Sequence, residues 1–276
     1  MNFAERYGPW AVIAGASEGT GRAFARQIAG KGLKCFLIAR REGPLDALAA
    51  EIRALHGVEC ATASVDLYAA DAADRITDAV AAREVGLFIS NAGSDDNSRR
   101  FLDQDVQAWV DLANRNVMTV MRCCHHLGRL MRERRRGGLL LVGSGACYGG
   151  ASFMAVYSAT KAFDLCFGEG LWAELRPHGV DVLNLILGRT DTPMFREYLA
   201  KRGMPVPPNL ASPDDVARIG LDRLPHGPIH NWGQADDATG FSSSSAAARR
   251  ERILAIDLMT KDVFGENGPS VPPVSR

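Results

Sequence analysis

The 276-residue sequence lacks the features that mark secreted, membrane-bound or nucleic-acid-binding proteins. No apolar run approaches the roughly 18 residues that a bilayer-spanning helix needs. The opening M-N-F-A-E-R-Y-G-P-W carries charges early and has no apolar h-region, so we expect no signal peptide. The formal net charge is +0, which leaves no long-range attraction for nucleic acid or an anionic membrane. We therefore expect a soluble, cytoplasmic protein.

The sequence also lacks the residue patterns that metal sites and disulfide bonds need. The six cysteines are scattered without a C-x-x-C pair, so we expect buried free thiols. The six histidines show no ligand spacing, and the adjacent His125 and His126 would point to different faces of a helix. The sequence therefore predicts no metal site.

The composition, 46% hydrophobic and 23% charged, is ordinary for one large α/β domain. Short apolar segments alternate with helix-forming segments, which predicts a Rossmann-type, doubly wound parallel sheet of about seven strands with helices on both faces. The predicted strands are 10–14, 34–39, 58–65, 86–90, 139–143, 180–187 and 228–232. The predicted helices are 21–31, 44–56, 71–83, 105–131, 153–176 and 212–224.

The predicted domain covers residues 1–235, including a substrate lid at about 193–211. Residues 236–264 are predicted to contain a flexible segment, rich in serine and alanine, and an amphipathic helix from 249 to 264. The proline-containing tail, 265–276, is expected to be disordered.

The first predicted strand runs into G-A-S-E-G-T-G, a glycine-rich stretch at residues 15–21. Glycines permit a tight turn and let the backbone approach a pyrophosphate, which binds at the N-terminus of the following helix. The spacing differs from G-x-G-x-x-G, and such a stretch can also be only a turn. Its place after a buried strand favours nucleotide binding by Gly15, Ser17, Glu18, Gly19, Thr20 and Gly21.

The residues after the second strand indicate the type of nucleotide. An acid at this point favours NAD, whereas an arginine accommodates the additional phosphate of NADP. Arg40 and Arg41 follow the strand, with no acid at its tip, so the sequence predicts NADP(H). A solvated arginine pair that only caps a loop is the alternative.

Ser144, Tyr157 and Lys161 form the candidate catalytic group. Tyr157 and Lys161 share one face of a predicted helix because they are four positions apart. A free phenol keeps its proton up to about pH 10, and an ammonium group one helical turn away stabilises the phenolate. We expect Ser144, upstream, to hold a substrate oxygen close to that phenol.

Several motifs follow one another between residues 9 and 232. They are G-A-S-E-G-T-G, Asp66-Leu67, Asn91-Ala92-Gly93, Asn116, Ser144, Y-S-A-T-K and G-R-T-D-T-P. In this order they resemble the short-chain dehydrogenase/reductase family. The opening ten residues, Glu18 and A-R-R-E after the second strand are similar to NADP-dependent bacterial hydroxysteroid dehydrogenases.

The resemblance implies a catalytic tetrad of Asn116, Ser144, Tyr157 and Lys161. Tyr157 would be the general acid in ketone reduction and the general base in alcohol oxidation. Lys161 would hold the nicotinamide ribose, and Asn116, with Asn114 as its rival, would hold a water that relays protons to the lysine. The implied cofactor site, which includes Tyr157 and Lys161, also takes in Asp66, Leu67, Asn91, Ala92, Gly93, Gly188, Thr190 and Thr192.

Two departures from the family concern the second half of the chain. Leu187-Gly188 stands where the family usually has Pro-Gly, and H-G-P-I-H-N-W-G replaces a Gly-Gly element near the substrate. The lid is apolar, which suits a bulky hydrophobic cyclic substrate, steroid-like or aromatic. The predicted substrate pocket contains Ala146, Cys147, Met194, Phe195 and Tyr198.

The expected function is therefore NADP(H)-dependent interconversion of a ketone and a secondary alcohol. A nucleotide-binding sensor or scaffold without turnover is one alternative, and an epimerase or dehydratase that uses the same tyrosine is another. The resemblance also implies a homodimer or homotetramer in which the two long helices pair with those of a partner subunit.

Overall fold

The computed structural model describes residues 2–95 and 98–231, together with residues 250, 251 and 254. Within these residues, seven parallel strands form one sheet in the order β3-β2-β1-β4-β5-β6-β7, which confirms the predicted fold class. The strands are β1 (Trp10–Ala14), β2 (Lys34–Ala39), β3 (Cys60–Ser64), β4 (Val85–Ser90), β5 (Gly137–Ser144), β6 (Val180–Leu187) and β7 (Ile229–Asn231).

Helices connect these strands, with bounds close to the predicted ones. They are α1 (Phe3–Tyr7), α2 (Gly19–Gly30), α3 (Glu42–His56), α4 (Ala72–Val80), α5 (Val106–Ala113), α6 (Thr119–Arg134), α7 (Ala155–Leu175), α8 (Pro193–Lys201) and α9 (Pro213–Arg223). The predicted helix 105–131 is not regular, because a π-helical turn at Asn114–Met118 separates α5 from α6. Ser212 caps α9 by accepting a hydrogen bond from the backbone of Asp214, which confirms the predicted helix start.

The sheet separates two layers of apolar packing. Alternate residues of β1 face opposite sides, with Ala11 and Ile13 on one side and Val12 on the other. Helices α2, α3 and α9 cover the first side, and helices α4, α6 and α7 cover the second. Because both faces are buried, the central strands appear in the sequence as continuous apolar runs.

The order of the strands places a crevice at the carboxyl ends of the central strands. The chain proceeds outward from β1 through β2 to β3, and then returns to place β4 on the other side of β1. The connections that follow β1 and β4 therefore diverge at the carboxyl ends of these strands. In open α/β sheets such a reversal is the position where ligands bind.

At the opposite, amino ends of the strands lies α1, a short helix that the sequence did not predict. Tyr7 is 1% exposed, and its hydroxyl donates to Asp181 Oδ2 over 2.6 Å. Arg6 pairs with the same carboxylate over 2.6 Å. Burial, followed by the neighbouring carboxylate, raises the pKa of Tyr7 far above its ordinary value, so this contact is a neutral phenol donating to a carboxylate. The helix thereby ties the N-terminus to the start of β6.

Five of the six cysteines are buried free thiols as predicted, whereas Cys166 is exposed. None of the helices in the described residues combines the length and the hydropathy that crossing a bilayer requires. Of the predicted C-terminal helix, residues 250, 251 and 254 are described and are helical, and Leu254 packs against the core. Trp232, the predicted flexible segment 236–248 and the tail 265–276 lie outside the described residues.

Helix α7 packs on β6 through a glycine. A Cβ atom at Gly168 would lie 2.2 Å from Nδ2 of Asn184, a residue that is fully buried in β6. This amide also donates to the backbone oxygen of Leu165 over 3.3 Å. The absence of a side chain at Gly168 therefore sets the distance between α7 and the sheet.

We predict that Gly168→Ala lowers the free energy of unfolding by about 1–3 kcal/mol, as is usual for an overpacked core. Gly43→Ala is the matched control, because nothing lies within 4 Å of the added methyl group in α3. The control should be neutral or more stable by up to about 1 kcal/mol. Urea denaturation of the two variants checks this, and equal stabilities would contradict the close packing of α7.

Candidate active site

The glycine-rich stretch forms the turn between β1 and α2. Gly15 has φ +87°, and a Cβ atom on it would lie 2.8 Å from the backbone nitrogen of Ala92. A Cβ atom on Gly21 would lie 2.0 Å from the carbonyl oxygen of Gly15. Both positions therefore require glycine, and the turn lies directly against the A-G that follows β4.

Asn91 fixes this turn from the end of β4. Its Nδ2 donates to the carbonyl oxygen of Gly15 over 2.9 Å, and its Oδ1 accepts from the hydroxyl of Thr20 over 2.7 Å. Both polar ends of the Asn91 side chain are thus used within the protein. Asn91 and Thr20, which the sequence assigns to cofactor binding, hold the shape of the turn, while Ser17 and Glu18 lie half-buried within it.

The loop after β6 meets the same turn. A Cβ atom on Gly19 would lie 3.0 Å from Cγ2 of Thr192. Thr192 caps α8 by accepting from the backbone of Phe195 over 3.2 Å. Thr190 is buried and pairs with Ala211, while Gly188 is exposed. The predicted nicotinamide loop therefore borders the glycine-rich turn.

Arg40 and Arg41 lie directly after β2 and are exposed. Arg41 Nη2 donates to Glu18 Oε2 over 2.6 Å, so its guanidinium reaches across to the glycine-rich turn. The carbonyl oxygen of Arg40 accepts from the hydroxyl of Ser64 over 2.9 Å. The Arg41 side chain is thus held beside the turn, while Arg40 is held there through its backbone.

A buried arginine joins the connections after β3 and β4. Arg115 is 7% exposed, and its guanidinium donates to the Tyr68 hydroxyl and to the carbonyl oxygen of Ser94. The group also lies 4.2 Å from the centre of the Tyr68 ring. Asp66 turns the chain toward Tyr68 by accepting from its backbone nitrogen over 3.2 Å. The sequence singled out Asp66 and Leu67 here but missed Tyr68 and Arg115.

Asn116 lies against Gly93, whereas its rival Asn114 is only half-buried. Asn116 is fully buried in the π-helical turn, where Nδ2 donates to Thr160 Oγ1 over 3.1 Å. Its Oδ1 accepts from Arg115 Nε over 3.0 Å. These bonds connect the π-helical turn with α7 one residue before Lys161. Single π-helical turns are frequent at functional sites, because they change the direction of the side chains around them.

Lys161 is the buried cation of the site. Its Nζ donates to the carbonyl oxygen of Val142 over 3.1 Å and to Asp164 Oδ2 over 3.0 Å. A Cβ atom on Gly93 would lie 2.6 Å from this nitrogen and 3.6 Å from Asn116 Oδ1. Because Gly93 has no side chain, Lys161 Nζ and Asn116 Oδ1 both have space beside it at the end of β4.

The charge of Lys161 is stabilised although the side chain is buried. Burial alone lowers the pKa of Lys161, but the Asp164 carboxylate and the Tyr157 phenol outweigh it, so the pKa lies above its ordinary value. Burial raises the pKa of Asp164, and the lysine opposes that change. The lysine thus remains an ammonium group at neutral pH.

Tyr157 and Ser144 complete the group. Tyr157 lies on α7 one turn before Lys161, as the spacing predicts, and is half-buried. Ser144 ends β5, and its Oγ accepts from the backbone nitrogen of Ala146 over 3.2 Å. Because that bond uses Oγ only as an acceptor, the Ser144 hydroxyl keeps its proton for another partner.

The predicted substrate residues fall into two groups. Ala146 and Cys147 lie in a 3₁₀ turn after β5, where Cys147 packs against Leu165, Ile186 and Ile229. Tyr148 closes this side by donating its hydroxyl to Asn231 of β7. Sequence reasoning missed this pairing, since the two residues are 83 positions apart and share no motif.

The second group lies on α8. Phe195 and Tyr198 stack with ring centres 6.5 Å apart, while Met194 is 41% exposed. Leu199 is the buried residue of this helix, so α8 docks on the protein through Leu199 and not through Met194. In the part of the chain that the structure describes, no three His, Cys, Asp or Glu side chains lie close enough to hold a metal ion.

Comparisons with known proteins identify the family and the fold. The family model of the short chain dehydrogenases matches residues 9–203. The 7β-hydroxysteroid dehydrogenase of Collinsella aerofaciens is 34% identical over 199 residues, which are 72% of this chain and 75% of that protein.

Two solved structures are also similar. One, from work on the stereoselectivity of 7β-hydroxysteroid dehydrogenase, has a TM-score of 0.79 at 27% identity and covers 92% of this chain and 99% of its own. The other is a metagenomic short-chain oxidoreductase in complex with NADP, with a TM-score of 0.66 at 25% identity. Its match covers 81% of this chain and 93% of that one.

We predict that Arg115→Lys lowers the free energy of unfolding by about 2–4 kcal/mol, because lysine keeps the charge but cannot reproduce the forked hydrogen bonds. Arg122→Lys is the matched control, since its pair with Asp74 is exposed and should contribute less than about 1 kcal/mol. Urea denaturation measures both changes. A loss no larger at Arg115 than at Arg122 would contradict the connecting role of Arg115.

Proposed function

The chain belongs to the short-chain dehydrogenase family and is an oxidoreductase of alcohols and ketones, and from this premise we propose that it uses NADP(H) on a bulky hydrophobic substrate. The observation that carries the proposal is the placement of Tyr157 one helical turn before a buried, charged Lys161. Asn116 and Gly93 surround the same lysine.

The residues present fit a dinucleotide. Gly15, Gly19 and Gly21 leave a cradle that Cβ atoms would fill, and this cradle opens at the N-terminus of α2, where backbone N–H groups favour a phosphate. Arg41 stands beside it with a cation for a further phosphate. Asp66, Leu67, Ala92, Gly188 and Thr190 are proposed to complete the binding surface.

The cofactor supplies the hydride, and the protein controls the proton. In ketone reduction Tyr157 gives its proton to the substrate oxygen, and in alcohol oxidation it takes that proton back. Ser144 donates its free hydroxyl proton to the same oxygen and stabilises the negative charge that develops there. Lys161 uses two of its three N–H groups on Val142 and Asp164, which leaves one to bind the ribose.

Asn116 has both polar atoms of its side chain engaged, so we propose that it holds the π-helical turn in place against α7. The water that the family resemblance assigns to this residue would then contact the backbone of the turn. A π-helical turn leaves backbone groups that an α-helix would pair, which makes such a contact available.

The substrate that we propose is a bulky cyclic ketone or alcohol, steroid-like or aromatic. Cys147 and its apolar neighbours form one wall beside Ser144, and Tyr148 gives that wall an aromatic edge. Met194, Phe195 and Tyr198 on α8 are proposed to form a lid over it. The similarity to a 7β-hydroxysteroid dehydrogenase supports a substrate of this size and polarity.

We propose a homodimer or homotetramer as the assembly. Val106, Val110 and Met118 expose apolar side chains along α5 and the π-helical turn, and such exposure is typical of an interface. Pairing of this surface with a second copy would remove it from water.

We predict that Tyr157→Phe lowers kcat for ketone reduction by about 100-fold or more, because a positioned general acid contributes that much. The measurement follows NADPH absorbance over a panel of cyclic ketones. Tyr7→Phe, which removes a phenol hydroxyl far from the site, should leave kcat unchanged at a temperature where it stays folded. Unaltered turnover in Tyr157→Phe would exclude the tyrosine from the mechanism. NADPH binding without turnover of any ketone by the wild type would favour a sensor.

We predict that Arg40→Ala/Arg41→Ala raises the KM for NADPH roughly tenfold or more and leaves the KM for NADH nearly unchanged, because a charged hydrogen bond to phosphate is lost. Arg218→Ala is the control, since it removes an exposed arginine from α9 that pairs with Asp215. Equal changes with the two cofactors would refute the assignment of the arginine pair to the phosphate.

A further inference from the structure

Asp164 is a buried carboxylate that the proposed reaction does not yet use. It is 3% exposed, and its Oδ2 accepts the hydrogen bond from Lys161 Nζ over 3.0 Å. Within the described residues, Oδ1 of Asp164 has no hydrogen-bond partner. An oxygen of a carboxylate that is buried without a partner opposes folding.

Stability does not explain why a carboxylate occupies this position. A buried ion pair is often replaced by apolar side chains without loss of stability, because removing two charges from water is costly. The neighbours are also suited to an apolar residue, since Leu165 and Cys124 are buried beside it. The charge of Asp164 therefore calls for an explanation in the site itself.

Among the described residues, three titratable groups act on this pair. Tyr157 lies one turn before Lys161 on α7, Arg115 approaches the lysine from the π-helical turn, and Cys124 faces Asp164 from α6. Arg115 adds a second positive charge near Lys161. Without the carboxylate, the site would therefore hold two cations and no anion among these groups.

We propose that Asp164 is a positioning residue: it holds Lys161 Nζ beside Gly93 and keeps the proton on the Tyr157–Lys161 pair up to a higher pH. This inference rests on the proposed function, because it concerns the supply of the proton that Tyr157 gives to the substrate. Tyr157 lies one helical turn before Lys161, so a charge beside the lysine also acts on the phenol. Removing a negative charge beside them favours loss of the first proton, whichever of the two groups releases it.

The sign of the effect follows from the direction of the reaction. Ketone reduction needs the proton on the pair, so its rate is high at low pH and falls as the pair loses that proton. The carboxylate of Asp164 moves this fall toward higher pH. Its removal must move the fall toward lower pH, which a purely structural role would not do.

The test is the pH dependence of kcat/KM for ketone reduction by Asp164→Asn, which removes the charge with little change of shape. We expect the alkaline fall to move by about one pH unit or more toward acid, with a rate within roughly tenfold of the wild type on the acid side. Glu169→Gln, which changes another buried carboxyl group of α7, should keep the wild-type profile.

Two results would overturn the inference. The first is an Asp164→Asn variant whose kcat/KM decreases at the same alkaline pH as that of the wild type. The second is loss of turnover at every pH in an Asp164→Asn variant whose circular dichroism and NADPH binding are those of the wild type. A residue that only sets the pH of proton loss should leave the enzyme active at low pH.

A second measurement does not depend on turnover. Lys161→Met leaves the Asp164 carboxylate buried without its cation and should lower the melting temperature, whereas Lys161→Met/Asp164→Asn should recover part of that loss. Equal melting temperatures for these two variants would show that Asp164 is not the partner of the lysine. If the wild type reduced no ketone, the proposed function would fail, while this comparison would still test whether Asp164 is the partner of Lys161.

Discussion

The close approach of two backbone turns at the crevice is the constraint on which the site depends. Gly15 lies against Ala92 at a distance that leaves no space for a Cβ atom. The approach is possible because glycine tolerates φ +87°, and Asn91 holds it with hydrogen bonds on both sides. A side chain at Gly15 would separate β1 from the turn after β4, and Gly93 would then no longer lie beside Lys161.

The chemistry of the site results from how the two halves of the sheet meet there. The glycine-rich turn after β1 and the arginines after β2 lie on one side, whereas β5 and α7 provide Ser144, Tyr157 and Lys161 on the other. Asn116 and Arg115 connect the halves through hydrogen bonds to Thr160 on one side and to Ser94 on the other. Lys161 retains its charge although it is buried, because the Asp164 carboxylate and Tyr157 outweigh the effect of burial.

Much of this arrangement could be predicted from the sequence, and the exceptions have physical reasons. Continuous apolar runs located the strands, and four-residue spacing placed Tyr157 and Lys161 on one helix face. The π-helical turn was not predicted, because the apolar residues of α5 and α6 are spaced almost as they would be in one continuous helix. Asp164 was missed because an acid in a helix sequence looks the same whether it faces solvent or a lysine. The five residues of α1 are too few for a periodic pattern, and their stability comes from distant partners.

The bond between Tyr7 and Asp181 has a consequence for the order in which the protein is made. The two residues are separated by 174 positions, so Tyr7 leaves the ribosome long before its acceptor has been synthesised. Gly86 and Gly138, which pack against Tyr7, are also made later. The segment that contains Tyr7 is therefore synthesised long before its partners, and the amino ends of the strands that it covers stay uncovered until β6 has joined. For this chain, α1 can dock only after β4, β5 and the start of β6 have been made.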